Sequence, residues 1–402
     1  MTQPVVLILG ASVAGVGAAT ELRRCGFEGR IVLVDGQPHA PYDRPPLSKA
    51  ILTGEATTDS IALATPAELS EKNIELRLGV PVAALDAPAR RVTLADGTVL
   101  SADFIVIATG ARARVLPSAC SCEGVITLRD LDDGLRLKQV MASAKHVAVI
   151  GGGFIGAEVA SSARQLGLEA TVYECESLPF LRVLGPAVAQ RLVDLHLAAG
   201  VKVKTGVRVE QVSRAGDGFS LRLSDGSVHP ADVVVAGLGA LPNVEFLEAS
   251  GVQVADGIVC DAWGRTSHAG LFAAGDVANW APTDGAARHR DEHWTSAREH
   301  ARIVAHTICG QTGPVWAEYV PYFWSDMHGK RIQALGTPQH ADEVRFVFED
   351  ETKGAFLAEY LRAGQLIGVA GCNAAGRLMK YRARLVPAPA SIQPQALKET
   401  TE

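Results

Sequence analysis

No apolar run in this 402-residue sequence reaches the ~18–20 residues of a membrane span, so a membrane-embedded protein is not expected. There is no surplus of positive charge either. Against 38 Lys and Arg stand 44 Asp and Glu, a net charge of −6, which gives no basis for binding nucleic acid or an anionic membrane surface. No C-x-x-C occurs among the seven cysteines, Cys25, Cys120, Cys122, Cys175, Cys260, Cys309 and Cys372. The number is odd, which predicts free thiols in a reducing compartment. Cys120 and Cys122 are the one close pair, and no Cys or His spacing reads as a zinc site, so no metal is expected. The first apolar strand begins at Val5, which predicts no secretory leader and a cytoplasmic protein. Glycine, by contrast, is plentiful at 40 residues, and two clusters of it stand out.

The first in importance is Val147–Glu158, V-A-V-I-G-G-G-F-I-G-A-E. A short apolar run feeds a predicted helix through Gly151, Gly153 and Gly156, the G-x-G-x-x-G fingerprint in a strand–turn–helix setting. Gly151 permits the tight turn, Gly153 lets a pyrophosphate approach the backbone, and Gly156 lets the helix pack on the strand. Free N–H groups and the positive end of the helix dipole then meet the phosphates. Glu174 closes the next predicted strand, where a carboxylate suits two ribose hydroxyls and repels a 2′-phosphate. That favours NADH over NADPH.

A near copy opens the chain. The strand Val5–Leu9 leads into Gly10-Ala-Ser12-Val-Ala14-Gly15, with Ser12 in place of the middle glycine, and Asp35 ends the following strand. The match continues downstream. Asp96-Gly97 and Asp225-Gly226 are hairpin signals. Ala102–Ala111, containing Ala108, Thr109 and Gly110, is answered by Ala231–Ala240, containing Gly239. The fingerprints lie 141 residues apart (Gly10 to Gly151) and the hairpins 129 (Asp96 to Asp225). The chain therefore holds two nucleotide-binding units of one design, the first longer by 12 residues. Those residues fall before the first hairpin, where the irregular block is Pro41-Tyr-Asp-Arg44-Pro45-Pro-Leu-Ser48-Lys49. Its prolines stiffen it, and Ser48 is placed to cap a short helix after it. An isoalloxazine ring needs extra walls, so FAD is expected in the first unit and nicotinamide in the second.

Further on, small residues before Gly275-Asp276 predict a strand ending against a ligand. His293-Trp294 opens a helix over Thr295–Ile308, and five β-like segments follow between Tyr319 and Cys372. The predicted fold is α/β: two Rossmann-like dinucleotide-binding domains of the glutathione-reductase-like type and a small α+β C-terminal domain. The expected division is 1–112 with 243–318 for FAD, 113–242 for NADH, and 319–402 for a C-terminal interface domain ending in a Pro-rich tail.

Taken together, these motifs resemble the FAD-dependent, NADH-linked ferredoxin reductases that serve bacterial Rieske oxygenases, as in aromatic hydrocarbon catabolism, and cytochrome P450 systems. The resemblance spans nearly the whole chain. It adds T-L-R at Thr127–Arg129, A-G-D-V at Ala274–Val277 and F-W-S-D at Phe323–Asp326, and its most specific element is P-Y-D-R-P-P-L-S-K at Pro41–Lys49. It implies that Ala14, Lys49, Val82, Arg129, Asp276 and Trp294 touch FAD, with Arg44 and Pro45 beside the ring. It also implies that Lys49 pairs with Glu158 near the nicotinamide, and that Trp294 and Trp324 frame the stacking site. Lys49, Glu158 and Trp294 are thus the catalytic candidates. Gly10, Ser12, Gly15, Asp35, Gly36, Ala108, Thr109, Gly110 and Gly275 complete the FAD set. Gly151, Gly153, Ile155, Gly156, Glu158, Glu174 and Gly239 form the NADH set.

The implied activity passes electrons from NADH through FAD, one at a time, to a [2Fe–2S] ferredoxin. Two departures are visible. Where the family carries an acidic pair, this chain reads Gly36-Gln37 with Asp35 one place earlier, so either can hold the adenosine ribose. Met327-His328 stands where the family has Gln. A disulfide reductase is disfavoured because Pro41–Lys49 and the early helix offer no redox cysteine beyond Cys25. An NADH oxidase and an NADH-switched binding or signalling flavoprotein remain the alternatives. A basic docking patch is expected among Arg288, Arg290, Arg298, Arg302, Lys330 and Arg331. Monomer and homodimer are both compatible with the sequence.

Overall fold

The computed structural model describes residues 3–281, 290–311 and 319–385. The predicted tail from Pro387 lies outside them, as does Arg288. Two parallel sheets dominate the first three quarters of the chain. In the first, Leu271–Ala273, Phe104–Ile107, Val5–Leu9, Arg30–Val34 and Ile74–Arg77 lie side by side in that order. In the second the order is Lys202–Lys204, Glu169–Tyr173, His146–Ile150 and Val233–Ala236. Read from the opposite end, four strands of the first sheet follow the order of the second, with Leu271–Ala273 added beyond them, so the sequence repeat is a structural repeat. Each unit also carries a three-stranded antiparallel flap, Val82–Ser101 and Val209–Ala231, built on the Asp-Gly hairpins. The extra length of the first unit lies between Val34 and Ile74, where Pro45–Ser48 forms a 3-10 turn.

The helices are α1 (Val13–Arg24), α2 (Ala50–Thr53), α3 (Pro66–Glu71), α4 (Leu131–Met141), α5 (Phe154–Gln165), α6 (Leu181–Ala198) and α7 (Trp294–Ile308), with two short turns of helix, α8 (Ala375–Leu378) and α9 (Arg382–Leu385), after the last strand. The central strands are apolar throughout because they are covered on both faces; Val6, Ile8, Val147, Val149 and Val235 are fully buried. The predicted β segments near the C-terminus form one antiparallel sheet of five strands, with Tyr322–Met327 at one edge and Glu343–Asp350 at the other. Its inner face packs on α6 through Ala334, Ala358 and Tyr360 against Leu184 and Val188. No helix among the described residues is long and apolar enough to cross a membrane.

Candidate functional site

The two glycine turns are built alike to the atom. Gly10 takes φ +110° and Gly151 φ +100°, and each amide donates to the last carbonyl of the neighbouring strand, Val34 O at 2.7 Å and Tyr173 O at 2.8 Å. A Cβ at Gly10 would lie 2.2 Å from Ala108 O, and one at Gly151 would lie 2.3 Å from Gly237 O. Gly15 and Gly156 each press on the first glycine's carbonyl, where a Cβ would come within 1.7 and 2.2 Å. Neither α1 nor α5 has a side-chain cap: Ser12 makes no capping bond and Gly153 has no side chain to make one. Their first-turn N–H groups therefore stay available to an anion.

The acids at the next strand ends repeat the same geometry. Asp35 accepts from the Ala11 amide at 2.6 Å and the Gln37 amide at 2.8 Å; Glu174 accepts from the Gly152 amide at 2.7 Å and the Glu176 amide at 2.9 Å. Both Asp35 oxygens and Glu174 Oε2 keep a lone pair for a further donor, while Glu174 Oε1 also accepts from the Cys175 thiol at 3.3 Å. The Gln37 side chain is engaged elsewhere, accepting from the Tyr42 hydroxyl at 2.7 Å.

One large cavity, about 660 Å³, opens at the carboxyl ends of the first sheet and reaches α5 and the C-terminal sheet. It is lined by the whole predicted FAD set except Gly15, which lies beneath the turn and acts through packing. Of the NADH set, Ile155 and Glu158 reach it, while Gly151, Gly153, Gly156, Glu174 and Gly239 cluster at the ends of the second sheet. Arg44 faces the cavity with a buried Nε that has no hydrogen-bond partner. Its guanidinium loses proton affinity through burial and the nearby Arg129 charge. Two arginines converging on a cavity, one with an orphaned N–H, call for an anion there, and a dinucleotide pyrophosphate fits that demand. Arg129 is itself fixed by Ala111 O at 2.7 Å and Asp276 Oδ2 at 2.6 Å. Asn243 ties the returning chain back by donating to Thr109 O at 2.8 Å.

Where the cavity meets α5, three segments converge on one carboxylate. Glu158 is buried at 6% exposure. Its Oε2 lies 2.8 Å from Lys49 Nζ and accepts from the Ser48 hydroxyl at 2.5 Å, while Oε1 accepts from Ser325 at 2.6 Å. The expected Lys49–Glu158 pair is present, but Ser48 does not cap a helix: α2 has Lys49 as its uncapped N-terminal residue. The hydroxyl is turned to Glu158 because a buried carboxylate needs donors more than an exposed helix end does. Ser325 comes from F-W-S-D, whose sequence gave no sign of this contact.

Beside them Trp294 and Trp324 meet edge to face at 5.9 Å between ring centres. Trp294 Nε1 donates to Asp43 at 2.6 Å, a partner that sequence reasoning missed. Burial pushes the Asp43 carboxyl up, against the pull of that N–H and of Lys49. His293, Phe323 and Phe154 complete this wall, and His293 Nδ1 is buried without a partner. None of the seven free cysteines lines the cavity, which leaves no thiol for disulfide chemistry there.

Known proteins resemble this chain over nearly its whole length. Residues 4–301 match the family described as pyridine nucleotide-disulphide oxidoreductase, and residues 322–402 match the reductase C-terminal family. The ferredoxin–NAD(+) reductase component of the p-cumate 2,3-dioxygenase system of Pseudomonas putida is 36% identical, over 98% of this chain and 96% of its own. The ferredoxin reductase component of chlorobenzene dioxygenase from Cupriavidus sp. is 38% identical, over 98% and 95%. The crystal structure of the covalent putidaredoxin reductase–putidaredoxin complex superposes with a TM-score of 0.91 at 32% identity, covering 96% of this chain and 94% of the other. The chain thus belongs to the pyridine nucleotide-disulphide oxidoreductase family and, within it, to the FAD-dependent, NADH-linked ferredoxin reductases.

Proposed function

We propose that this protein moves electrons from NADH through FAD, singly, to a [2Fe–2S] ferredoxin that serves a Rieske oxygenase or a cytochrome P450. The observation that carries this reading is the Lys49–Glu158 pair, held at the junction of three segments and opening on the cavity of about 660 Å³. Bound FAD supplies the chemistry, since a flavin accepts a hydride and releases electrons one at a time.

The chain's own residues supply binding and geometry. The α1 N-terminus, Arg44 and Arg129 hold the pyrophosphate, and Asp35 takes the adenosine ribose in preference to Gly36-Gln37. Support for Asp35 comes from its match to Glu174, atom for atom, in the second unit. Glu174 then holds the ribose of NADH. Lys49 sets a positive charge beside a group that gains negative charge on reduction. Glu158 positions that lysine, and Ser48 and Ser325 fix Glu158. Trp294, oriented by Asp43, would wall the space that receives the nicotinamide and so help to orient it for hydride transfer. The division into 1–112 with 243–318, 113–242 and 319–402 follows these roles, in a cytoplasmic protein.

The docking face for ferredoxin lies at the Trp294–Trp324 edge. Arg298 stands 5.1 Å over the Trp294 ring and is its foremost cation. Arg290 is not available, since its side chain is only 9% exposed and pairs with Asp256 and Glu292; Arg302 and Arg331 pair with Glu299 and Asp326.

The test is NADH-driven reduction of cytochrome c with and without an added [2Fe–2S] ferredoxin. Reduction that depends on ferredoxin is the expected result. NADH consumption that goes to oxygen and ignores ferredoxin would overturn the reading in favour of an oxidase.

A further inference from the structure

At the far end of α1 and α7 from the cavity, four metal-binding side chains meet. Glu21 and Cys25 lie four apart at the end of α1, and His306 and Cys309 lie three apart at the end of α7. The ligand atoms of Glu21, Cys25 and His306 all fall within 4.8 Å of one another. The Cys25 and Cys309 thiols are themselves in hydrogen-bond contact. All four residues are half-buried, and they come from opposite ends of the chain, which is why no sequence spacing pointed to them.

We infer that Glu21, Cys25 and His306, with the Cys309 thiol adjoining Cys25, form a binding site for a thiophilic divalent cation of the zinc class, clamping α1 to α7. The distances among Glu21, Cys25 and His306 suit it. Glu21 Oε1 and His306 Nε2 are 3.4 Å apart, and ligands about 2.0–2.1 Å from a tetrahedral zinc stand roughly 3.3 Å from each other. The donor set of thiolate, imidazole and carboxylate selects zinc over magnesium or calcium, whose ligands are oxygens.

The frame is rigid. The helices cross so closely that a Cβ at Gly17 would sit 3.0 Å from Ala301 Cβ, so Glu21, Cys25 and His306 are presented with little ordering left to do. Cys25 also accepts a backbone contact, its carbonyl taking the Gln311 side-chain N–H at 2.8 Å. Two features temper the affinity. Arg24 holds the other oxygen of Glu21 at 2.9 Å, and His306 Nδ1 has no acceptor to raise the basicity of the ring. An exchangeable site is the consequence, one that responds to free metal.

Both helices begin at the cofactor cavity, α1 at Val13 and α7 at Trp294, with Ser12 just before α1 also lining it. A metal at their other ends therefore braces the walls of that cavity without touching it.

The experiment uses the flavin-loaded protein, freed of metal with a chelator, kept under a non-thiol reductant, and titrated with cobalt(II) and then zinc. Wild type is expected to bind one equivalent of cobalt with a sulfur-to-metal charge-transfer band and tetrahedral ligand-field bands beyond the flavin absorption, all erased by zinc. Cys25→Ser and His306→Ala should each weaken binding by about tenfold or more, with flavin content and NADH reduction unchanged. Cys175→Ser, an exposed thiol elsewhere, should bind like wild type. Should either site variant fail to fold, alkylation of wild type followed by mass spectrometry decides: zinc should slow modification of Cys25 and Cys309 and leave Cys175 unaffected. Absence of a thiolate band, or equal alkylation with and without zinc, would overturn the site.

Discussion

At the scale of single residues, the molecule spends its buried polar groups on one carboxylate. A buried ion pair gains little over apolar packing unless its remaining lone pairs are satisfied. Glu158 satisfies that condition, with Ser48 and Ser325 occupying the positions that Lys49 leaves. The arrangement has a cost in desolvation that a purely structural contact would not justify in a cavity wall. Replacing Lys49 with Met keeps the stem and removes the charge. Glu158 retains two hydroxyl donors, so the fold and FAD binding are expected to survive. Hydride transfer from NADH, followed by stopped-flow loss of oxidised-flavin absorbance, is expected to slow by about tenfold or more. An unchanged rate with FAD bound would remove Lys49 from the reaction.

At the scale of elements, the two strand–turn–helix units are one solution used twice, and the solution is steric. Gly15 and Gly156 are buried against the carbonyls of Gly10 and Gly151, and both admit no Cβ without moving that carbonyl. Gly15→Ala must lift α1 from its turn and is expected to cost about 1–3 kcal/mol and most of the bound flavin. Gly156→Ala does the same to α5 in the other unit. It is expected to leave flavin content near normal and raise KM for NADH. The ratio of flavin to protein absorbance in the two purified variants, with steady-state kinetics, separates these outcomes. If both variants lose FAD equally, the assignment of one nucleotide to each unit fails.

This level was also the most legible in the sequence. Glycines at φ near +100° and acids at strand ends are forced by local geometry, so their order and spacing betrayed both units and the repeat. The P-Y-D-R-P-P-L-S-K block was recognisable, yet its internal contacts were not. Ser48 reaches Glu158 across 110 residues, and Asp43 reaches Trp294 across 251. Such pairs leave no periodicity in the chain, and a serine near a helix start looks like a cap until the fold brings a hungrier acceptor. Arg290 misled for the same reason, since its burial is decided by Asp256 and Glu292.

At the scale of the whole molecule, the C-terminal sheet is latched to the second unit by a pair of histidines. His328, at the tip of the hairpin between Tyr322–Met327 and Lys330–Gly336, takes φ +51° and hydrogen-bonds His196 of α6 at 2.8 Å; its amide donates to Ser161 of α5 at 2.7 Å. His196 is buried, stacked on Phe180, and its Nε2 has no partner among the described residues. Burial, with His328 beside it, pushes its pKa down to about 3; burial and the Arg164 charge also lower that of His328. The sign follows from linkage. Unfolded chains take up protons at these imidazoles below about pH 6.5, while folded His196 refuses one until about pH 3. The unfolded state therefore binds more protons throughout that window, so stability is full above it and falls as the pH falls through it. At pH 5 His196 alone removes about 2 kcal/mol. His196→Phe keeps the stacking on Phe180 and cannot titrate. Its thermal midpoint is expected to lie below that of wild type at pH 7.5, where the His328 bond is lost, and to decline less steeply between pH 7 and pH 5. Parallel declines in the two proteins would show that acid acts elsewhere, and that the latch holds by packing alone.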